Sequence, residues 1–155
     1  MLDSTLTHPA RRQESRFGTL MDLYEKNYLL TRLLAPGLRD MRIGEHVSEV
    51  NGCLSLYLHI QEKARYTTTY GLSYRFDASS RYPKQPNLVI RSYHDAHVAE
   101  VLSGVVCGVE YGNRVPRSLD SSWRLNRFLY KWLHYCIYRN HSFNGLTDSL
   151  SASRD

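Results

Sequence analysis

A strict alternation of apolar and polar side chains marks the middle of the chain and constrains its fold more than any other feature. Leucine or isoleucine occupies every second position from Leu54 to Ile60, and polar or aromatic residues stand between them. Successive side chains of a strand point to opposite faces of its sheet, so this segment predicts a strand with one buried face. We therefore predict an antiparallel sheet that other elements cover on one side.

The Asn-Gly pair at 51–52 predicts the turn that leads into this strand, because both residues accept positive φ. A two-residue loop would pair Val47 with Leu56 and Ile43 with Ile60. Three further strands are predicted at about 65–76, 87–93 and 98–109, the last with a candidate break at Gly104.

Helical periodicity appears on both sides of the strands. The first helix is predicted over about 16–34, with Ser15 as its N-cap, and the Ala-Pro-Gly run at 35–37 ends it. Asn27 lies within the apolar stripe of this helix, where its amide needs hydrogen-bond partners. Two interpretations stay open for it, a structural hydrogen bond to the backbone and a contact to a ligand.

The last helix is predicted over about 120–139, where an apolar stripe that includes Trp132 alternates with a basic stripe. Its candidate N-caps are Asp120, Ser121 and Ser122. The element order is α-β-β-β-β-β-α, which predicts an α+β fold with about five antiparallel strands and both helices on the leucine face. One domain is expected over 15–141, between a flexible arm at 1–14 and a flexible tail at 142–155.

The net charge is modest, and the cysteine content favours a reducing compartment. The 20 Lys and Arg exceed the 15 Asp and Glu by five, a modest excess for 155 residues. The three cysteines, Cys53, Cys107 and Cys136, show no Cys-x-x-Cys spacing. No apolar run is long enough to span a bilayer and no cofactor motif is present, so we expect a cytoplasmic protein with no membrane partner, cofactor or metal.

The densest polar cluster is the segment 93–100, which carries two histidines and two carboxylates. One hypothesis is a small enzyme in which His94 is the general base and Asp95 or Glu100 orients it, or in which these groups hold a metal. The other is structural: Asp95 orders a turn through its own backbone and His94 makes one fixed hydrogen bond.

A second candidate is an anion site on the third predicted strand, where a guanidinium lies beside several hydroxyls. Its predicted ligand-binding residues are Arg65, Tyr66 and Thr67, with Arg91 from the next strand and Asn27 from the first helix. Threonines are also ordinary sheet residues, which is the competing interpretation.

The third candidate is the basic stripe of the last helix, Arg124, Arg127 and Lys131. It is either a solvated face or a surface for an acidic partner or RNA. The chain also has twelve tyrosines, which favours a binding surface and leaves a homodimer open.

Four segments carry a resemblance: the Leu-Tyr-Glu-Lys-Asn-Tyr run at 23–28, the Arg-Tyr-Thr-Thr run at 65–68, the Tyr-His-Asp-Ala run at 93–96 and the Asn-x-Phe-Leu-x-x-Trp-Leu run at 126–133. Together they resemble the YqiB-like family of bacterial proteins, whose function is unknown. The resemblance covers about 20–140, and the most specific parts are the His-Asp-Ala run at 94–96 and the Asn-x-Phe-Leu-x-x-Trp-Leu run. At the position of His97 the family has methionine as readily as histidine, which is where this chain departs from the family pattern. The resemblance implies a bacterial cytoplasmic protein, a faint link to nucleotides through neighbouring genes, and the family-pattern positions Asn27, Arg65, Tyr66, His94, Asp95, Glu100, Asn126 and Trp132.

These observations favour a non-catalytic binding or regulatory module that recognises a protein or a small anionic, nucleotide-like ligand. The alternatives are the small enzyme based on His94 and a weak nucleic-acid binder that uses the last helix. Nucleic acid is the less favoured partner.

Overall fold

A computed structural model describes residues 9–75, 84–112 and 118–144 of the chain. Six strands form one antiparallel sheet in the order β1-β2-β3-β4-β5-β6, so each strand pairs with its neighbours in sequence. One helix precedes the sheet and one follows it, which confirms the predicted α+β class. The elements are α1 (Pro9–Leu34), a 3-10 turn (Leu38–Asp40), β1 (Gly44–Ser48), β2 (Leu56–Lys63), β3 (Thr67–Arg75), β4 (Lys84–Tyr93), β5 (Val98–Val106), β6 (Val109–Tyr111) and α2 (Leu119–Tyr138).

The alternation in β2 positions the core as predicted. Leu56, Leu58 and Ile60 are buried on the face that both helices cover. We call this the covered face, and the opposite side of the sheet the open face. Leu54 was predicted to share the covered face, but its side chain is 46% exposed because it lies before β2 begins.

The sheet has one strand more than expected, because the predicted fifth strand is a hairpin. Cys107 and Gly108 both adopt positive φ, at 50° and 79°, and reverse the chain between β5 and β6. This geometry is typical of a two-residue hairpin turn. Gly104 does not break β5; a side chain there would approach the carbonyl oxygen of Asn87 to 2.4 Å, so a glycine is needed for close strand packing.

The β1–β2 hairpin differs from its predicted register by one residue. Ser48 lies opposite Leu56 and Val47 opposite Tyr57, because the connection spans 49–55 instead of two residues. The Asn-Gly turn is present, since the amide of Cys53 donates to the carbonyl of Val50 at 3.0 Å. A shift of one residue exchanges the two faces of a strand, so Val47 is exposed and Ser48 is buried.

Both helices begin earlier than predicted. α1 starts at Pro9, a residue suited to the first helical position, so Ser15 lies inside the helix and residues 9–14 are helical. Residues 1–8 of the predicted arm lie outside the described residues. α2 starts at Leu119, and its N-cap is Ser118, whose Oγ accepts from the amide of Ser121 at 3.1 Å. None of the three predicted caps has this position.

The segment after α2 remains part of the domain for several residues. Phe143, which the sequence assigned to a tail, is fully buried, and its amide donates to the carbonyl of Leu34 at 2.8 Å. The side chain of Ser48 accepts from the amide of Ser142 at 3.0 Å. This segment therefore fixes the end of α1 to β1. The rest of the predicted tail, 145–155, lies outside the described residues.

Neither helix in the described part of the chain is both long enough and apolar enough to cross a membrane.

Candidate ligand-binding cleft

A cleft of about 290 Å³ opens where the C-terminal end of α1, the 3-10 turn and the β4–β5 turn meet. Its base carries hydroxyl and imidazole groups from Tyr28, Thr31, Ser92 and His94. Arg32, Arg39 and His97 also line it, and their side chains are exposed. We call this site the arginine cleft.

The β4–β5 turn places His94 in the cleft. Residues 94–97 connect Tyr93 to Val98, which lie opposite each other in the sheet. The amide of Ala96 donates to Oδ1 of Asp95 at 2.9 Å, and the amide of His94 donates to the carbonyl of Tyr66 at 2.7 Å. Asp95 thus orders the turn through the backbone, as the structural hypothesis proposed.

Both ring nitrogens of His94 have hydrogen-bond partners, where one bond was predicted. Nδ1 lies 3.3 Å from the hydroxyl of Tyr28, and Nε2 lies 2.8 Å from Oγ1 of Thr68. The residue is 8% exposed. Burial lowers the pKa of His94, and the positive charges of Arg39 and Arg32 lower it further, against the opposing effects of Asp95 and Asp40. These effects together favour the neutral imidazole.

A chain of hydroxyls supports the base of the cleft. The hydroxyl of Tyr70 lies 3.0 Å from Oγ of Ser92 and 3.4 Å from Oγ1 of Thr31, which in turn donates to the carbonyl of Asn27 at 2.7 Å. Burial raises the pKa of Tyr70 to about 12, so its hydroxyl keeps its proton at neutral pH. These groups provide neutral donors and acceptors in a fixed arrangement.

The two arginines supply the positive charge. Arg39 donates to the carbonyl of Arg65 at 2.9 Å, which holds its guanidinium near the cleft. Arg32 lies in the last turn of α1, where a cation is favourable for the helix dipole. Among the residues that the structure describes, no carboxylate lies within ion-pair distance of either guanidinium.

The structure does not bring the proposed catalytic residues together. His94 faces the cleft, whereas Asp95 is exposed on the turn and does not line the cleft. Glu100 lies on the open face, where it accepts a hydrogen bond from the hydroxyl of Tyr93 at 2.8 Å. Within the described ranges, no group of three or more His, Cys, Asp or Glu side chains is arranged to hold a metal ion.

The predicted anion-binding residues are also divided. Arg91 lies on the open face, where its Nε donates to Oγ1 of Thr69 at 3.0 Å, so it joins the threonines but not the cleft. Arg65 stacks over the ring of Tyr66 with 5.1 Å to the centroid, and both side chains are exposed. Thr67 is the first residue of β3, and its side chain is half-buried. Of these four residues, Arg65 and Tyr66 support the cleft through their backbone carbonyls, which accept from Arg39 and from the amide of His94.

Asn27 makes a backbone hydrogen bond of the kind that was one of its two interpretations. It is fully buried, and its Nδ2 donates to the backbone carbonyl of Asn126 at 3.0 Å. Asn126 is also fully buried; its Oδ1 accepts from the amide of Val101 at 3.1 Å and its Nδ2 donates to the carbonyl of Ser122 at 2.8 Å. The two asparagines thus connect α1, α2 and β5.

The basic stripe of the last helix is exposed on α2. Arg124, Arg127 and Lys131 point away from the buried side of the helix, and Arg127 lies over the ring of Trp123 at 4.9 Å. These residues do not line the arginine cleft.

Sequence reasoning missed Arg32, Arg39 and Tyr28 as site residues. The helical periodicity around Tyr28 predicted a core residue, not a site residue. The two arginines carried no signal beyond their charge. The cleft combines residues from α1, the 3-10 turn, β4 and the β4–β5 turn, and no local spacing in the sequence relates these elements.

The fold and the cleft together define a small α+β protein with a polar, positively charged cleft on the covered side of its sheet. The family model of proteins of unknown function designated DUF1249 matches residues 29–142. The uncharacterized protein YqiB of Escherichia coli strain K12 is 34% identical over 132 residues, which make up 82% of this chain and 92% of that protein. YqiB proteins of the Escherichia coli strains O6:H1 and O157:H7 match equally well.

The chain therefore belongs to the DUF1249 family of proteins of unknown function, and the predicted resemblance to YqiB is confirmed. No solved structure matches the chain.

Proposed function

We propose that this protein is a non-catalytic binding module that takes a small anionic ligand in the arginine cleft. The observation that carries the proposal is the pair of guanidiniums of Arg32 and Arg39, which have no carboxylate partner among the described residues and face a base of neutral hydroxyls and imidazole. An anion between them would supply the missing charge. Guanidinium groups bind phosphate and carboxylate strongly because they offer several donors in one plane.

The size of the cleft limits the ligand. Its volume of about 290 Å³ lies near the lower end of the range for small-molecule sites, which is roughly 300–1,000 Å³. We infer a ligand with one phosphate or carboxylate group near the arginines and a small remainder that contacts Ala35, Pro36 and Leu38. We infer that the ligand is no larger than a nucleotide.

Binding is favoured over catalysis by the state of His94. A general base must face the substrate proton that it abstracts, within hydrogen-bond reach. Both nitrogens of His94 have hydroxyl partners inside the protein. The two carboxylates once expected to orient it lie elsewhere, so the groups at this site suit recognition better than proton transfer to a substrate.

The proposal is tested by titrating the protein with sulfate, inorganic phosphate and succinate while recording amide shifts in a ¹⁵N-labelled sample. We expect saturable shifts at His94, His97 and Arg39, and a thermal stabilisation that grows with ligand concentration. Arg32→Gln should weaken binding at least about tenfold, the scale of one charge-assisted hydrogen bond.

Arg124→Gln is the matched control, because it removes the same charge from an exposed helical position outside the cleft. Equal loss of binding in the two variants would mean that net charge and not the cleft attracts the anion. Shifts confined to the exposed face of α2 would favour the nucleic-acid alternative.

We further propose that the module works in the cytoplasm. Cys53, Cys107 and Cys136 are all free thiols, which supports a reducing compartment. Fractionation of cells that produce the tagged protein tests this, and recovery with periplasmic markers would contradict it.

A further inference from the structure

His94 connects the arginine cleft to a hydroxyl that can reverse its hydrogen bond. The Tyr28 hydroxyl lies 3.3 Å from Nδ1, and Oγ1 of Thr68 lies 2.8 Å from Nε2. In a neutral imidazole one nitrogen donates and the other accepts. A phenol is the more acidic of the two hydroxyls and therefore the better donor, so Tyr28 donates to Nδ1, and Thr68 accepts from Nε2.

Protonation changes this arrangement. Both nitrogens of an imidazolium donate, so the oxygen of Tyr28 must then accept and its own proton must turn away from the ring. Tyr28 lines the cleft, and its ring is held in place by stacking on His97, with 5.3 Å between centroids and 24° between planes. The proton stays on the oxygen of Tyr28 and, once turned away from the imidazole, can be donated as a hydrogen bond into the cleft.

We propose that the cleft takes up a proton together with its anion: His94 accepts the proton from solvent, and the hydroxyl of Tyr28 turns from the imidazole to the anion. This coupling rests on the proposed function and adds a way in which pH would regulate anion binding. Binding would strengthen as the pH falls through the range in which histidine titrates, and the ligand would be released as the pH rises.

The charges around His94 favour this coupling. Arg32 on α1 and Arg39 on the 3-10 turn oppose a positive charge on the imidazole, whereas Asp40 on that turn and Asp95 on the β4–β5 turn favour it. Thr68 on β3 and Tyr28 on α1 contact the ring directly and are neutral. Burial is the largest cause of the lowered pKa of His94, and the two guanidiniums add to it; an anion seated beside them offsets their contribution, so it raises the pKa of His94 in the complex. His97, next to Tyr28, is the other histidine that lines the cleft.

The test is calorimetric titration with sulfate, which stays a dianion between about pH 5 and pH 8, the range of histidine titration. Each titration is run at constant ionic strength in two buffers with different heats of ionisation. We expect proton uptake that approaches one per bound sulfate. Affinity should rise about tenfold for each pKa unit by which sulfate raises the pKa of His94.

Three variants locate the proton. His94→Gln keeps hydrogen-bonding groups but does not titrate, and it should bind sulfate with no uptake and a flat pH profile. Tyr28→Phe should lose affinity at low pH and not at high pH, and it tests the coupling even if the first variant does not fold. His97→Asn tolerates the positive φ of 57° at this position and should retain the uptake.

Sulfate binding without proton uptake in the wild-type protein would overturn the coupling and leave the proposed function intact. Uptake that survives His94→Gln and disappears in His97→Asn would overturn it as well. No sulfate binding at any pH would overturn both.

Discussion

The two faces of the sheet hold their polar side chains in different ways. On the open face the polar groups pair with one another: Arg91 donates to Thr69, Tyr93 donates to Glu100, and Arg75 forms an ion pair with Glu45. On the covered face the hydrogen-bonded hydroxyls and His94 lead to the cleft, where the arginines meet no carboxylate among the described residues. These polar groups of the open face thus have partners within the sheet, whereas the arginine cleft is suited to a ligand.

This difference explains why the sheet arginines are poor indicators of a site. Arg91 uses its Nε donor for Thr69 and Arg75 pairs with Glu45, so fewer of their donors remain for a ligand. Burial also makes a lost hydrogen bond more destabilising on the covered face than on the open face, because water cannot replace the missing partner of a buried polar group. The predictions below test this contrast.

The largest effect is expected from Asn126→Ala on the covered side. The change removes the hydrogen bonds to the amide of Val101 and the carbonyl of Ser122 and leaves a small cavity. We expect the free energy of unfolding, measured by urea denaturation, to fall by about 2–3 kcal/mol. Arg124→Ala, at an exposed position of the same helix, should stay within about 0.5 kcal/mol. Similar values for the two variants would show that the buried amide does not hold the helices to β5.

A matched pair of tyrosine variants compares the two faces directly. Tyr70→Phe on the covered face removes a fully buried hydroxyl that contacts Ser92 and Thr31, and should cost about 1–2 kcal/mol. Tyr93→Phe on the open face removes one half-buried bond to Glu100 and should cost about 0.5 kcal/mol. Thermal and urea unfolding measure both. A larger loss for Tyr93→Phe would reverse the comparison.

A third effect is a loss of stability in mild acid. Burial lowers the pKa of His94 and of His141 in the folded protein below the ordinary value of 6.5. The unfolded chain then binds more protons, so the free energy of unfolding is highest above about pH 6.5 and falls as the pH drops toward the folded pKa values. Urea denaturation between about pH 7.5 and pH 5 measures this dependence.

We expect His94→Gln and His141→Gln each to reduce that dependence, and the double variant to reduce it most. A stability that does not vary over this range would mean that neither buried imidazole resists protonation.

The smallest effect is expected from the ion pair on the open face. Arg75 and Glu45 form a bidentate pair whose side chains are 32% and 41% exposed, and Arg75 also lies 4.0 Å from the centroid of the Tyr57 ring. Arg75→Gln should cost less than about 1 kcal/mol, and the loss should shrink at high salt. A double-mutant cycle with Glu45→Gln isolates the pair. A coupling that salt does not reduce would contradict a screened surface interaction.

Much of the architecture could be predicted from the chain. The alternation in β2 identified the buried strand, and the stripe with Trp132 identified the buried side of α2, because both patterns follow from the geometry of a single element. The register of β1 could not be predicted in this way. Ser48 is held by His141, whose Nδ1 lies 2.9 Å from its Oγ, and that partner is 93 residues away in sequence.

In the candidate site, too, local features could be predicted from the sequence and contacts between distant segments could not. Asp95 could be assigned to a turn because its hydrogen bond is local. Arg91 and Glu100 were chosen for their residue types, but strand alternation placed them on the open face, whereas Arg39 reached the cleft from a 3-10 turn that the sequence did not indicate.

The sequence by itself determined which side of each strand and helix is apolar. Periodicity is a local property, and the hydrophobic effect favours burial of an apolar face whichever element covers it. Only the tertiary structure decided that His94 lies between Tyr28 and Thr68, which are 66 and 26 residues away, and that two arginines stand beside them. Hydrogen bonds and charge clusters depend on distances in space, and those distances exist only after the helices pack on the sheet.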